Sequence, residues 1–442
     1  MNLAIVVQRY GADISGGAEL HARYIAERLS SRIRVRVLTT CARDHLTWRN
    51  ELPPGAEEVN GVPVERFQVS RERSVRDFGV RSRRVFTRFH SLQEELDWME
   101  SEGPVSPGLL TRLRRSSGEF DFVVLFSIRY HQAYYGARAT ASRAVLVPTA
   151  EREPALALAI FQPVFRGVRA IMYNSFEERA AIHALAHNEH VPGVVVGVGS
   201  MIPSATDPAR ARQAFGLSRP FVLYVGRIEE NKGCSELFDY FLRYLESSGR
   251  DLDLVLIGTQ VMAIPSHPHI RHLGYVSDQD KFDVLAAAAI LMMPSYFESL
   301  SMVALESWAL GRPVLANAKC DVLHGQCLRS NAGLYYEHAG DFAAALDRLL
   351  DDTGLAEAMG RNGQEYFLRH YSWPVIEAKY LEMFDRLAAA PASAPMEPLP
   401  GWFARRRPTV PAALDVLARL PSGPVSISSR TEPDNARPMV SA

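Results

Sequence analysis

The chain has 442 residues, of which 47% are hydrophobic, and its formal net charge is −1. This apolar fraction can fill the cores of two or three domains, and the near-neutral charge gives no electrostatic reason to expect nucleic acid as a partner. No apolar stretch approaches the roughly 20 residues that cross a membrane, and the four scattered cysteines match no zinc pattern, which favours free thiols in a reducing cytoplasm.

The chain opens with a predicted buried strand and a glycine-rich turn. Residues 3–7 form an apolar run, and Gly16 and Gly17 precede a segment with a helical pattern that reaches Leu29. Glycine lets the backbone approach a ligand at a helix N-terminus, where free N–H groups attract anions. The Gly-x-Gly-x-x-Gly and Walker A patterns are absent, which argues against a dinucleotide dehydrogenase and an NTPase.

A run of arginines follows in the first half. Its members are Arg71, Arg73, Arg76, Arg81, Arg83, Arg84 and Arg88, interrupted by apolar residues. Two interpretations stay open. The run is either a basic amphipathic segment that contacts an anionic membrane or an anionic lipid-linked acceptor, or a solvated helix face.

Short apolar runs alternate with helical patterns along both halves, which predicts parallel sheets covered on both faces. The predicted strands are residues 3–7, 35–39, 122–126, 144–147, 170–173 and 194–196, then 221–225, 254–257, 270–273, 290–293, 313–316 and 333–335. The predicted organisation is a first domain at 1–200, a linker at 201–216, a second domain at 217–372 and a helix at 373–388. The tail at 389–442 is rich in Pro, Ala, Ser and Arg and is predicted to be disordered, with a short helix at 412–420.

Two cations follow the first predicted strand of the second half. Arg227 and Lys232 lie in a loop between residues 221–225 and a helix that is predicted to begin near Ser235. Ligands of open α/β sheets bind beyond the carboxyl ends of the strands. A planar guanidinium and a compact ammonium at that edge suit a diphosphate. Either cation alone would indicate only a surface charge.

Two glutamates lie eight residues apart further along. Glu298 precedes a helix that is predicted to start at Ser299 or Ser301, and Glu306 lies two turns inside that helix. Free N–H groups at the helix N-terminus attract phosphate, and flanking carboxylates can bind sugar hydroxyls. The alternative is that Glu298 only favours the helix dipole and that Glu306 lies on a solvated face.

In this order, the motifs resemble glycosyltransferase family 4 over roughly residues 1–388. The matching pieces are Gly16-Gly17-Ala-Glu19, Val225-Gly-Arg227-Ile with Lys232-Gly233, and Glu298-x7-Glu306 followed by Ala309-Leu-Gly-Arg-Pro-Val314. The resemblance implies an α/β fold of the GT-B type, with two Rossmann-like, doubly wound parallel-sheet domains that face a central cleft. It also implies a retaining reaction with a nucleoside-diphosphate sugar, a UDP- or GDP-sugar, and no metal or other cofactor.

The resemblance further implies a role for each matching residue. Arg227 and Lys232 would neutralise the donor diphosphate, and Glu298 would bind hydroxyls of the transferred sugar. Glu306 would bind the ribose. The remaining implied substrate contacts are Gly16, Gly17, Ser299, Leu300 and Ser301 through backbone N–H groups, and Tyr275 and Val276 beside the nucleobase.

One position departs from the family pattern. Family members often carry a histidine after an apolar strand of the first domain, where this chain has Glu151 in Val147-Pro-Thr-Ala-Glu-Arg-Glu-Pro154. Either Glu151 takes over hydrogen bonding near the reacting hydroxyl, or His131 fills the role. The alternative for His131 is a core or loop histidine whose hydrogen bonds are satisfied.

The sequence therefore predicts a retaining glycosyltransferase that acts on a cell-surface polysaccharide or a lipid-linked glycan, in the cytoplasm or at the inner face of the cell membrane. One alternative is another GT-B enzyme such as a sugar-nucleotide epimerase. The Glu298-x7-Glu306 motif argues against it, because the motif fits the transferases better. The other is a catalytically silent subunit that binds nucleotide sugars, which the missing histidine keeps open.

Overall fold

The computed structural model describes residues 1–391 except Ser15 and Ser117, together with Met396, Leu399 and residues 413–420. Within these residues the strands form two sheets, one in each half of the chain. Over the same residues, no helix combines the length and the hydropathy needed to cross a membrane. The predicted disorder of the tail falls almost entirely on residues outside the described ones.

The first sheet has eight strands in the order β3-β4-β2-β1-β5-β6-β7-β8, and all neighbours are parallel except β3 and β4. The strands are β1 (Asn2–Val6), β2 (Arg34–Thr40), β3 (Gly55–Val59), β4 (Val62–Phe67), β5 (Phe122–Phe126), β6 (Ala144–Val147), β7 (Ala170–Tyr173) and β8 (Gly193–Val195). The helices of this half are α1 (Gly17–Ser30), α2 (Val75–Thr87), α3 (Leu92–Glu102), α4 (Pro107–Arg115), α5 (His131–Ala139), α6 (Gln162–Gly167) and α7 (Phe176–Ala186).

The second sheet has six parallel strands in the order β11-β10-β9-β12-β13-β14, which corresponds to the strand order 3-2-1-4-5-6 of the Rossmann fold. The strands are β9 (Phe221–Val225), β10 (Asp253–Ile257), β11 (Ile270–His272), β12 (Ile290–Met293), β13 (Val314–Asn317) and β14 (Gly333–Tyr336). The helices are α8 (Pro208–Phe215), α9 (Cys234–Ser248), α10 (Asp278–Ala287), α11 (Met302–Ala309), α12 (Asp321–Ser330), α13 (Ala339–Asp351), α14 (Thr353–His370), α15 (Trp373–Ala389) and α16 (Ala413–Leu417).

All twelve predicted strands are present to within about one residue at each end. They could be predicted because a parallel strand buried on both faces needs an unbroken apolar run, as in Phe122–Phe126, where all five residues are buried. The helices predicted at 373–388 and 412–420 are also present, as α15 and α16.

The β3–β4 hairpin was not predicted. Four of the five residues of β3 are exposed, so this edge strand has no apolar run to detect. The signal that could have found the hairpin is the Asn60-Gly61 pair, with φ of 50° and 78°, because such a pair forms the tight turn of a two-residue hairpin.

The segment predicted as a linker contains a helix. Pro208–Phe215 forms α8, which begins at the N-cap residue Asp207 and packs on α10. Arg210 holds the two helices together through Asp280, at 2.7 Å, and through Asp283. The composition of this segment is typical of linkers, and the ion pairs that order it join residues about seventy positions apart.

The last long helix, α15, packs against the first half of the chain. Phe384 stacks on Phe122 with ring centroids 5.4 Å apart, and the Tyr380 hydroxyl lies 3.3 Å from Nε2 of His21. One apolar cluster continues from Val145 of the first sheet through Phe384 to Leu223 of the second. The two sheets therefore share a packed core, while the domain boundaries drawn from composition stay predictions.

Candidate active site

The candidate site lies where the strand order of the second sheet reverses. β9 and β12 are neighbours in the sheet. The chain continues from β9 to β10 toward one edge of the sheet and from β12 to β13 toward the other edge. Such a reversal opens a crevice at the carboxyl ends of the strands, and ligands of open α/β sheets bind there. Lys232 follows β9 and Glu298 follows β12.

Lys232 and Glu298 form an ion pair in this crevice. The Lys232 Nζ lies 2.8 Å from Oε1 of Glu298, and both side chains are at least three-quarters buried. Burial disfavours the charged amine, but the carboxylates of Glu298 and Glu151 outweigh burial and raise the pKa of Lys232. The lysine therefore presents a full positive charge in a site that is mostly shielded from water.

The loop that carries Lys232 is packed tightly enough to require glycine. Gly233 has a φ of 71°, and a Cβ at this position would collide with the carbonyl oxygen of Pro294. The loops that follow β9 and β12 therefore touch backbone to backbone. This contact sets the distance between Lys232 and the loop of Glu298.

Arg227 stands at the open side of the same crevice. Its side chain is half-exposed and pairs with Glu229 at 2.9 Å, and Nη1 lies 3.4 Å from Nε2 of His45 in the first half of the chain. Burial, together with the charges of Arg9 and Arg227, lowers the pKa of His45. Arg9 is ion-paired at 2.7 Å with Glu19 in the first turn of α1, so Arg227 faces the start of α1 across the cleft.

The helix after Glu298 begins as predicted from one of the two serines. Ser301 is the N-cap of α11, with a φ of 76°, and its Oγ accepts a hydrogen bond of 3.3 Å from the Ala304 N–H. Ser299 Oγ lies 3.3 Å from Nδ2 of Asn174, which ties this loop to the first half of the chain. Leu300 is buried between the two serines.

Glu306 is a buried acceptor and not a solvated helix residue. It is 3% exposed, and its Oε1 accepts hydrogen bonds from Ser200 Oγ at 2.7 Å and from Lys281 Nζ at 3.0 Å. Its Oε2 has no hydrogen-bond partner within the described residues. A buried carboxylate oxygen without a partner is costly, so a ligand donor is the natural way to satisfy it.

Glu151 comes from the first half of the chain and faces the same cluster. Burial, the neighbouring Glu298 and Glu153 raise the pKa of its carboxyl to about 7, while Lys232 and Arg129 act in the opposite direction. A half-buried carboxyl that titrates near neutral pH, beside a cation and a second carboxylate, is typical of a functional site.

His131 lies apart from these charges. Its side chain is 4% exposed, its Nε2 is 3.2 Å from Oε1 of Glu100, and its ring is 4.5 Å from that of Tyr135. These contacts are typical of a histidine with a structural role. Of the two residues that the sequence offered for the family histidine, the structure brings Glu151 and not His131 to Lys232 and Glu298.

The remaining predicted contacts lie around the rim. Gly16, with a φ of 146°, is the N-cap of α1, and a Cβ there would collide with the Glu19 carboxylate, whereas Gly17 faces open space. Tyr275 is 82% exposed on the loop after β11, where Gly274 has a φ of 75°. Val276 beside it is half-buried against the core.

Four residues that support the site carried no sequence signal. Ser200 and Lys281 bind Glu306, and Asn174 binds the loop of Ser299. Buried Glu178 accepts backbone hydrogen bonds from Ala150 at 2.6 Å and Asn174 at 2.5 Å. Each of these residues is a common polar residue without a motif of its own. Ser200, Lys281 and Asn174 are identified only by contacts that join residues 25 to 125 positions apart in the sequence. Glu178 is identified only by the two backbone N–H groups that donate to it.

Comparison with known sequences agrees with this geometry. Residues 206–366, which include Arg227, Lys232, Glu298 and Glu306, match the family model described as glycosyl transferases group 1. D-inositol 3-phosphate glycosyltransferase of Kribbella flavida is 30% identical over 240 residues, which are 48% of this chain and 56% of that protein. Alpha-D-kanosaminyltransferase of Streptomyces kanamyceticus is 28% identical over 180 residues, which are 37% and 45%. The chain spans about half the length of the curated relatives it matches.

Solved structures match over most of the chain. Sucrose-phosphate synthase from Thermosynechococcus elongatus has a TM-score of 0.63 at 16% identity, covering 88% of this chain and 100% of that one. Anabaena HepE in complex with UDP and glucose has a TM-score of 0.63 at 18% identity, covering 87% and 100%. The fold is thus of the GT-B type, which confirms the predicted fold class. Together with the matched segment, it supports a glycosyltransferase.

Proposed function

We propose that this protein is a retaining, metal-independent glycosyltransferase that moves a sugar from a nucleoside-diphosphate sugar to an acceptor hydroxyl. The observation that carries the proposal is the Lys232–Glu298 pair, 2.8 Å apart, at the reversal of strand order in the second sheet. Arg227 flanks this pair, and the whole cluster lies within the segment that matches the group 1 model.

The proposed donor site uses each group according to its chemistry. Lys232 and Arg227 bind the diphosphate, and Glu298 binds hydroxyls of the transferred sugar. The unpartnered Oε2 of Glu306 accepts a hydrogen bond from the ribose. The remaining proposed contacts are the backbone N–H groups of Ser299, Leu300, Ser301 and Gly17 for oxygens of the phosphate and acceptor, Gly16 beside them, and Tyr275 and Val276 for the base.

In this proposal the protein supplies position and charge. The bond from the anomeric carbon to the leaving phosphate oxygen breaks, and a bond from the acceptor oxygen to that carbon forms on the same face of the sugar. The departing diphosphate accepts the proton of the acceptor hydroxyl. Arg227 and Lys232 stabilise the charge that develops on the leaving group, and preorganised cations of this kind contribute strongly to catalysis. Between the two proposed nucleotides, UDP has the support that solved structures of HepE contain UDP or UDP-glucose.

The proposed acceptor is a cell-surface polysaccharide or a lipid-linked glycan, bound from the side of the first domain at the inner face of the cell membrane. Four of the seven clustered arginines are ion-paired within the domain, namely Arg71, Arg73, Arg81 and Arg84. Arg76 and Arg83 are exposed on α2 beside Val80, which is 65% exposed. This stripe suits anionic lipid headgroups, with the valine at the interface.

A nucleotide screen tests the donor site. Thermal unfolding of the full chain would be measured with UDP, GDP, ADP and their common sugar conjugates. A ligand of the folded state at about one hundred times its dissociation constant adds roughly 2.7 kcal/mol, so the correct base raises the melting temperature clearly. The shift is expected to be lost in Lys232→Ala, and no shift with any nucleotide would contradict the proposal.

The second candidate function is a catalytically silent subunit that binds nucleotide sugars, and it is supported by the glutamate that stands in place of the family histidine. Measuring turnover distinguishes this candidate from an enzyme. Donor binding combined with transfer or slow donor hydrolysis supports the enzyme. Donor binding with neither, over long incubation with a range of sugar and glycolipid acceptors, supports the silent subunit.

Vesicle sedimentation tests the proposed membrane contact. The chain is expected to sediment with phosphatidylglycerol vesicles and not with phosphatidylcholine vesicles, and to be released by salt because exposed charges are screened. Reversal of Arg76 and Arg83 to glutamate should abolish sedimentation, whereas Arg243→Glu on α9 should not. Equal sedimentation of all three proteins would contradict this part of the proposal.

A further inference from the structure

The carboxyl of Glu151 is an acidic group that faces the cleft. Among the described residues no hydrogen bond or ion pair reaches it, and Lys232, whose charge acts on it, is already paired with Glu298 at 2.8 Å. The charged and titratable groups that surround it are Glu153 and Arg129 from the first domain, Glu178 of α7, Lys232 and Glu298 from the second domain, and Cys320 at the start of α12.

The loop that carries Glu151 is held firmly in place. Thr149 has a φ of 48°, an unusual value for a β-branched residue, and its Oγ1 donates a 2.8 Å hydrogen bond to Ser127 Oγ. The Ala150 N–H is held by Glu178 at 2.6 Å, and Glu153 is ion-paired with Arg129. Strained backbone of this kind persists only where the surroundings fix it, and it clusters at ligand sites. Glu151 is therefore positioned by contacts on both sides of it.

We propose that Glu151 binds the donor as a neutral carboxylic acid, so that each nucleotide sugar that binds brings one proton from solvent onto this residue. The O–H formed in this way donates a hydrogen bond to an oxygen of the bound donor. This inference rests on the proposed function, and it names a property of this chain at the position where the family pattern has a histidine.

The charge balance of the cleft favours such a proton. In the proposed function, a bound diphosphate adds two negative charges beside the cations Lys232 and Arg227. Glu298 keeps its direct contact with Lys232. Glu151 contacts no cation among the described residues, so its ionised form would face the donor as a like charge. Like charges at close range favour the neutral acid. Burial and its acidic neighbours already raise the pKa of Glu151 to about 7, so protonation costs little at neutral pH.

Calorimetric titration with UDP-glucose and with GDP-mannose tests the inference. Neither probe changes its phosphate charge near neutral pH. At about pH 8, titrations of whichever probe binds, in two buffers with different ionisation enthalpies, should report the uptake of close to one proton per donor bound. Between about pH 6 and pH 8 the affinity of the native chain should fall about tenfold, because the ionised residue must first be protonated.

Two variants make the test specific to Glu151. Glu151→Gln keeps an N–H donor but cannot titrate, so it should bind the donor with no proton uptake and with the same affinity at both pH values. Glu151→Ala should bind weakly at both. Cys320, Glu178 and the other neighbours are unchanged in both variants, so any titration of theirs would remain.

The outcomes separate this inference from the proposed function. If a donor binds and Glu151→Gln takes up as many protons as the native chain, the inference is wrong and the donor site stands. A native chain that binds equally at both pH values, with no proton uptake, overturns the inference as well. If neither nucleotide sugar binds at any pH, the proposed function fails and this inference fails with it.

Discussion

At the scale of single residues, the three glutamates with proposed roles in the cleft differ in their partners. Within the part of the chain that the structure describes, Glu298 is ion-paired with Lys232, one oxygen of Glu306 accepts hydrogen bonds and the other has no partner, and the carboxyl of Glu151 has no partner. These states correspond to three proposed roles, in sugar binding, ribose binding and proton uptake. None of the roles can be derived from residue type, because all three residues are glutamates.

Lys232→Ala should lower turnover by at least about 100-fold, since it removes a preorganised cation from the leaving diphosphate. The measurement is steady-state release of the nucleoside diphosphate, with a thermal melt to confirm the fold. Lys319→Ala is a matched control, because Lys319 also follows a strand of this sheet but pairs with Glu236 at 2.7 Å. Equal turnover of the native chain and Lys232→Ala would contradict the proposal that Lys232 binds the donor diphosphate.

Glu306→Gln should weaken nucleotide binding by about tenfold, because a hydrogen bond to a charged acceptor contributes about 1.5–3 kcal/mol. The specific readout compares UDP with 2′,3′-dideoxy-UDP, or the guanosine pair if GDP is the ligand. The native chain should prefer the nucleotide with the hydroxyls, and the variant should lose most of that preference. A variant that keeps the full preference would show that Glu306 does not contact the ribose.

Glu151→Gln should raise stability at alkaline pH. The folded-state pKa of Glu151 is raised from 4.5 to about 7, so its favourable contribution is fully present below pH 4.5 and is lost as the pH rises through 7. Because the glutamine does not ionise, the variant should unfold at the same temperature as the native chain near pH 4.5. At about pH 8 it should be more stable by roughly 3 kcal/mol. Melting curves at the two pH values check this, and a variant less stable at pH 8 would contradict it.

At the scale of elements, the loops that carry the site are fixed by backbone contacts. Gly233 packs on Pro294, and Gly258 packs on the carbonyl of Gly226, so the loops after β9, β10 and β12 lie against one another. These backbone contacts hold the loops that carry Arg227 and Lys232 in place at the carboxyl ends of the strands. Glycine appears at these points because no side chain fits.

Gly233→Ala and Gly249→Ala form a matched pair that measures this contact. Both glycines have positive φ, at 71° and 64°, but only Gly233 has backbone where the new Cβ would lie. Gly249→Ala should cost about 1 kcal/mol of unfolding free energy for its φ alone. Gly233→Ala should cost about 2 kcal/mol more, together with donor affinity. Urea denaturation measures both, and equal costs would show that the Pro294 contact is relaxed easily.

At the scale of the whole molecule, ion pairs join the two faces of the cleft. Arg152, beside Glu151, pairs with Asp321 in the first turn of α12, and Glu177 of α7 pairs with Arg329 of α12. The Arg329 guanidinium also lies over the Phe176 ring at 5.1 Å. These contacts hold α12 against the first domain and bring Glu151 to the residues of the second.

Charge reversal of Glu177 to arginine should weaken this closure and lower donor affinity by about 1 kcal/mol, or roughly fivefold, since exposed pairs are individually weak. Small-angle scattering should show a larger radius of gyration for this variant. The double exchange Glu177→Arg with Arg329→Glu should restore both quantities. Arg243→Glu, which breaks a pair within α9, is the control, and a radius unchanged in every variant would contradict the role of the pair in closure.

The sequence by itself determined the parallel strands, because a strand buried on both faces leaves an apolar run that needs no knowledge of its neighbours. It also determined that Ser299 or Ser301 starts a helix and that Arg227 and Lys232 follow a strand. These are local patterns, and the physical causes that produce them act within a few residues. The Asn60-Gly61 turn belongs to the same class, although the polar β3 strand concealed it.

Only the tertiary structure decided which polar residues share the cleft. By sequence, Glu151 and His131 are both plausible replacements for the family histidine. The choice between them depends on which of the two lies near Lys232 in space, although they precede it by about eighty and one hundred residues in the chain. The raised pKa of Glu151 comes likewise from burial and from neighbours supplied by other elements, and burial leaves Oε2 of Glu306 without a partner among the described residues. Burial and Coulomb interactions depend on distance in space, which the order of residues does not contain.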